Sequence, residues 1–203
     1  IREGRDMSQQ EKLNLIVNLS IPSILAQLSS IIMFFIDMSM VGHLGAQQSA
    51  SIGLVESTTW MFGGLTSACS MGFSVQVAHA IGANDFKRAR RILRQALTCC
   101  LIFSSILMLG AVCIHQQLPY WLGGSEEIAH DASLYFLIFS LCVPFFQLEG
   151  LAGSMLKCSG NMRVPSTLNI LMCCLDVLFN YLFIFTFGLG VVGAAIGTFL
   201  AIF

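Results

Sequence analysis

Positive charge is missing from half of the loops of this 203-residue chain. Charged residues of either sign make up only 10 % of it, where a soluble domain carries roughly 25 %. The net charge of −1 gives no electrostatic case for a nucleic-acid partner. Proline is scarce at four residues. Two of these, Pro22 and Pro144, fall inside apolar runs and predict kinks there. The eight cysteines form no Cys-x-x-Cys pair and no Cys/His ligand spacing, which excludes the common zinc and redox motifs. Seven of them (Cys69, Cys99, Cys100, Cys113, Cys142, Cys173 and Cys174) lie in apolar runs, and Cys158 sits at the end of one. They read as small apolar fillers. No secretory signal of the usual pattern opens the chain, because the first apolar run follows a charged lead-in and is too long.

What is abundant is hydrocarbon. Apolar residues make up 56 % of the chain and the mean hydropathy is +0.79. The apolar runs are about 13–41, 52–81, 93–115, 132–156, 165–187 and 190–203. Backbone in lipid must satisfy its own hydrogen bonds, so such runs are helices or barrel strands. These are too long and continuous for alternating strands. The expected fold is an all-α polytopic membrane protein in contact with the lipid bilayer. It has five complete spans and part of a sixth, because 190–203 falls short of the roughly twenty residues a span requires. With Ile1 at one end and a broken run at the other, both ends read as cut.

The loops alternate in charge. Segments 1–12, 84–95 and 157–163 hold all ten Lys and Arg: Arg2, Arg5, Lys12, Lys87, Arg88, Arg90, Arg91, Arg94, Lys157 and Arg163. Segments 42–50, 115–131 and 186–192 hold none. The positive-inside rule then predicts a multi-pass protein of the plasma (inner cell) membrane, with residues 1–12 as a cytoplasmic lead-in and 13–203 as the transmembrane unit. Segment 84–95 is amphipathic and is expected to lie along the inner membrane surface before the third span begins. Tyr120 and Trp121 suit the opposite headgroup belt. Small-residue stripes at Gly63, Ser67, Ser70 and Ser74, and at Gly193, Ala194, Gly197 and Ala201, predict close helix packing.

Four acidic residues lie inside the runs with no Lys or Arg beside them: Asp37, Glu56, Glu149 and Asp176. An ionised Asp at mid-membrane costs on the order of 3 kcal/mol on insertion scales. Each must therefore be protonated, hold a mobile cation, or face water. A carboxyl that alternates among these states is what cation-coupled transport requires. In the fifth run Asn169, Cys173, Asp176 and Asn180 share one helix face, and Ser23, Gln27, Ser30 and Asp37 are matched to one face of the first. Asp37, Asp176 and Asn180 are the candidate cation-coupling residues, with oxygen donors suited to Na⁺ or H⁺. Gln27, Ser30, Glu56, Glu149 and Asn169 are candidate substrate or cleft contacts. No other cofactor and no enzymatic activity is expected.

The stretches IPSILAQLSSIIMFFIDMSMVGHLG (21–45), IGANDFKRARRILRQAL (81–97), LKCSGNMRVPSTLNI (156–170) and FGLGVVGAAIGT (187–198) occur in an order and at spacings that resemble the N-terminal lobe of the multidrug and toxic compound extrusion (MATE) transporters. The resemblance covers most of 13–203. It implies twelve helices in two six-helix lobes around a central cleft, so a C-terminal lobe is expected beyond Phe203. It also implies a coupling carboxylate on the first helix, at the motif position of Asp37. Many prokaryotic members carry an Asn, then an Asp four residues on, in the fifth helix. Here Asp176 stands at the Asn position and Asn180 at the Asp position. The implied activity is a secondary antiporter exporting amphipathic or cationic compounds, its small-molecule organic substrates, in exchange for Na⁺ or H⁺. Two alternatives keep the same residues. A lipid-linked precursor flippase is disfavoured because no cationic residue lies in the spans. An intramembrane aspartyl protease using Asp37 and Asp176 is disfavoured because its Tyr-Asp and Gly-x-Gly-Asp patterns are absent around both.

Overall fold

A computed structural model describes residues 8–202. Arg2 and Arg5, most of the expected lead-in 1–12, and Phe203 lie outside the described residues. Within them the chain is helical throughout, with no strand. In chain order the helices are α1 (Gln9–Gly42), α2 (Ala46–Gly82), α3 (Phe86–Ile114), the single turn α4 (Leu118–Trp121), α5 (Glu126–Cys158), α6 (Arg163–Tyr181) and α7 (Gly190–Ile202). A π-helical turn, Leu182–Thr186, extends α6.

Local sequence explains the boundaries. Ser8 and Glu11 form a reciprocal capping box at the start of α1: Ser8 Oγ accepts from Glu11 N–H, and Glu11 Oε2 accepts from Ser8 N–H. Gly45, at φ +113°, makes the sharp return into α2. Asp85 caps α3 by accepting from Arg88 N–H at 3.0 Å. Pro22 and Pro144 both sit inside helices that continue past them.

Four helical stretches are long and apolar enough to cross a membrane: Gln9–Gly42, Phe86–Ile114, Glu126–Cys158 and Arg163–Thr186. α2 has the length, at 37 residues, but is not among them. Gly, Ser and Thr dilute its apolar run, although Glu56 is its only residue that is fully charged at neutral pH. Segment 84–95 does not form a separate surface helix. Residues 86–114 are one continuous helix, since no Pro or Gly interrupts 86–109. One buried stripe, Ala89, Ile92, Ala96, Cys100 and Ser104, runs through both parts.

α5 is the central helix, packed against α2, α3 and α7. Its main apolar contact joins Val55 and Phe62 of α2, Ala111 of α3 and Ala132, Phe136 and Val143 of α5. The Phe62 and Phe136 rings meet edge to face at 5.9 Å. α1 stands at the rim and packs chiefly on α6.

The two small-residue stripes divide. A Cβ on Gly193 would come within 2.7 Å of the Phe183 carbonyl oxygen, so α7 approaches the π turn as closely as backbone allows. On α2 the stripe is not one packing face. Gly63 and Ser67 are exposed, and a Cβ on Gly63 would meet nothing within 4 Å. Ser70 and Ser74 are buried and satisfy polar partners from α5: Gln147 Nε2 donates to Ser70 Oγ at 2.6 Å, and the Cys158 thiol donates to the Ser74 carbonyl at 3.2 Å. Ser70→Ala should leave the Gln147 amide buried without its acceptor. The expected cost is about 1–3 kcal/mol, read as a lower thermal midpoint of the purified protein in detergent.

Candidate functional site

The site is built where α1, α6 and α7 meet. On α6 the expected face is real: Cys173, Asp176 and Asn180 are buried. Asp176 and Asn180 are each only 1 % exposed. Asn180 Nδ2 donates to Asp37 Oδ1 at 3.0 Å and to Asp176 Oδ2 at 3.1 Å. One amide thus joins two carboxylates from different helices. Asn169 Nδ2, three turns away along α6, donates to Ser30 Oγ at 3.0 Å and to the Ala26 carbonyl at 3.1 Å. These bonds form a polar seam that holds α1 to α6.

The electrostatics follow from the distances. The two accepting oxygens lie within about 3 Å of one nitrogen, so they are no more than about 6 Å apart. Two ionised carboxylates at that separation repel by about 3 kcal/mol at an effective dielectric near 20. No Lys or Arg of α1 or α6 relieves this, because Lys12 and Arg163 stand at the far ends of those helices. A shared proton or a bound cation does relieve it. The donors are hard oxygens, suited to Na⁺ or H⁺ rather than to soft metals.

Two neighbours had no signal in the sequence. Tyr135 on α5 is within electrostatic reach of Asp37, Asp176 and Glu56, and it packs at the junction of two apolar clusters. Thr198 on α7 lies against Asp176. Asp176 Oδ1 and Asn180 Oδ1 are nevertheless buried with no hydrogen-bond partner among the described residues. A Cβ on Gly197 would overlap Asn180 Oδ1. The glycine therefore makes the space that the Asn180 amide occupies. A period-two or helical pattern cannot reveal Tyr135, since only the packing of α5 sets it against the cluster of Val41 and Ile184.

Other candidates fall elsewhere. Ser30 belongs to the seam, but Gln27 is exposed on the surface of the lobe. Glu56 accepts from Trp60 Nε1 at 3.4 Å within α2. Glu149 is far from the carboxylate pair and lines a cavity between α2 and α5.

Comparison with known proteins gives the family and the fold. The MatE family model matches residues 22–182. The chain is 24 % identical over 185 residues to the multidrug export protein MepA of Staphylococcus saprophyticus, covering 90 % of this chain and 41 % of that protein. It is 25 % identical over 193 residues to the probable multidrug resistance protein NorM of Thermotoga maritima, covering 93 % and 41 %. The outward-facing structure of a multidrug resistance MATE family transporter of the MOP superfamily superposes with a TM-score of 0.87 at 25 % identity, covering 93 % of this chain and 42 % of that one. The chain thus spans about two fifths of the length of these relatives and corresponds to one lobe of their fold.

Proposed function

This chain belongs to the MatE family, and from that premise we propose that the full-length protein is a secondary antiporter. It exports amphipathic or cationic organic compounds in exchange for Na⁺ or H⁺ entering the cell. A second lobe from the rest of the polypeptide completes the cleft. The protein is multi-pass in the plasma membrane, with the basic segments 84–95 and 157–163 on the cytoplasmic side. The carrying observation is the Asn180 amide that bridges Asp37 and Asp176, with no Lys or Arg beside them among the described residues of α1 and α6.

The mechanism derives from which helix each group sits on. α1 is held mainly by α6, and the polar part of that contact is the seam from Asn169 to Asn180. Loading Asp37 with a cation or proton changes the charge at one end of the seam. Pro22 lies just beyond its other end. The charge state of Asp37 thereby sets how α1 seats on α6, and the lobes rock between two states. One charge moving inward down 100 mV supplies about 2.3 kcal/mol for export.

The closeness of Asp37 and Asp176 does not favour the protease reading. Both carboxylates accept from the Asn180 amide, and Asp176 is 1 % exposed, so no substrate backbone has access to the pair. The flippase reading wants cationic side chains for a pyrophosphate head, and the described spans place none in their middle.

The test is dye-cation efflux from cells lacking their main pumps, with Na⁺ and pH gradients imposed separately on the full-length protein. Efflux that follows one gradient supports the antiporter and names the ion. Membrane expression without efflux under either gradient overturns it.

A further inference from the structure

We propose that the groove between α2 and α5 is a binding pocket for planar aromatic monocations, with Glu149 as its charge partner. It is separate from the Asp37–Asp176–Asn180 cluster. The cavity measures about 350 Å³, within the roughly 300–1,000 Å³ of small-molecule sites. Its walls are aromatic. The Phe139 and Phe146 rings lie 5.6 Å apart, and Trp60 is 67 % exposed at the rim, held edge-on by Phe34 at 6.2 Å. Faces of this kind stack flat rings and attract cations.

Polarity gives the pocket its direction. Thr59 and Thr66 line the cavity, and each donates its hydroxyl proton to a carbonyl of α2, at 2.7 and 2.9 Å, so that each hydroxyl oxygen keeps acceptor capacity. Glu149 is exposed, and the nearest fixed cation on its helix is Lys157, two turns away. A carboxylate and hydroxyls on one surface are costly against lipid. The same face belongs to α2, whose apolar run is diluted by Gly, Ser and Thr. This surface therefore faces the aqueous cleft, a placement that rests on the transport reading.

The separation has a mechanistic consequence. Tyr135 marks the depth of the carboxylate cluster on α5. Glu149 lies fourteen residues further along the same helix, roughly 21 Å at 1.5 Å per residue. Substrate and coupling ion then use different carboxylates. Exchange is achieved through the conformation of the lobe and not by competition for one group.

The test uses the purified full-length protein and ethidium, a planar aromatic monocation, with the neutral phenanthridine of the same ring frame as control. Binding is read by fluorescence anisotropy for ethidium and by its displacement for the control. Glu149→Gln should weaken ethidium by about tenfold or more and leave the neutral ring unchanged. Gly63→Leu should weaken both, since a side chain there grows into open pocket without meeting backbone. Glu149→Asp should recover part of the ethidium affinity. Equal ethidium affinity in wild type and Glu149→Gln overturns the pocket, as does Gly63→Leu binding like wild type. If wild type still exports dye in either of those cases, the antiporter reading stands. Glu149-dependent binding without export retains the pocket and removes the antiporter.

Discussion

Asp37→Asn is expected to abolish cation-driven export by the full-length protein while leaving the fold intact. Asn is close to Asp in size, and its side-chain oxygen can still accept from Asn180 Nδ2, which lies 3.0 Å from Asp37 Oδ1 in the native chain. What is lost is the titratable charge. One charge crossing 100 mV is worth about 2.3 kcal/mol, so the steady-state concentration ratio held across the membrane should fall by as much as roughly fifty-fold. The check is initial efflux rate and steady-state ratio at matched membrane expression, alongside the thermal midpoint of the purified variant. A normal midpoint with lost coupling assigns Asp37 to energy transduction. A lowered midpoint with retained coupling assigns it to packing alone. Asp176→Asn should behave in the same direction, because the repulsion it removes is the reason a cation is held there.

The second large effect is expected from a single methyl group. In Gly197→Ala the new Cβ overlaps Asn180 Oδ1 and crowds Asn180 N at 3.0 Å. The backbone cannot easily retreat, since Gly193 one turn earlier already sits against the Phe183 carbonyl. The Asn180 amide must swing away, and its bonds to Asp37 and Asp176 break together. Export should fall nearly as far as in Asp37→Asn, with a stability cost of about 1–3 kcal/mol from overpacking. Gly72→Ala on α2 is the matched control, because its Cβ meets nothing within 4 Å and it lies outside the α2–α5 cavity. It should keep both the thermal midpoint and export. Equal export from Gly197→Ala and Gly72→Ala would show that the position of Asn180 is immaterial.

The helical fold was legible because hydrocarbon runs of this length admit few other structures. The carboxylate site was legible in part. Asp176 and Asn180 fall one turn apart, and buried charge without a counter-ion is conspicuous in any apolar run. Their partner Asp37 was found by the same reasoning, and the structure joins all three through one amide. Gln27 was assigned to the same face of α1 by counting residues along a straight helix, and it lies exposed instead. Seven residues separate Ser30 from Asp37, almost two whole turns, whereas ten separate Gln27 from Asp37 and rotate it well off that face.

Tyr135, Thr198 and Gly197 were not legible as site residues. Each reaches the site through packing of α5 or α7, and pairwise contact between distant segments leaves no periodic trace. The surface helix expected at 84–95 failed for a related reason. Amphipathic charge describes which side of a helix meets water and does not end the helix, and no Pro or Gly interrupts 86–109. α2 shows the opposite case. Its stripe Gly63, Ser67, Ser70 and Ser74 was read as packing, yet Gly63 and Ser67 are exposed beside the aromatic pocket.

The most direct measurement is ion counter-movement in liposomes holding the purified full-length protein, with an ethidium gradient as the only driving force. Sodium and proton fluxes are followed separately. Ethidium leaving the vesicles should draw one of the two cations in the opposite direction, and Asp37→Asn should remove that flux. Ethidium transport without movement of either cation, or a cation flux that Asp37→Asn leaves unchanged, would contradict coupling at the Asp37–Asp176–Asn180 cluster.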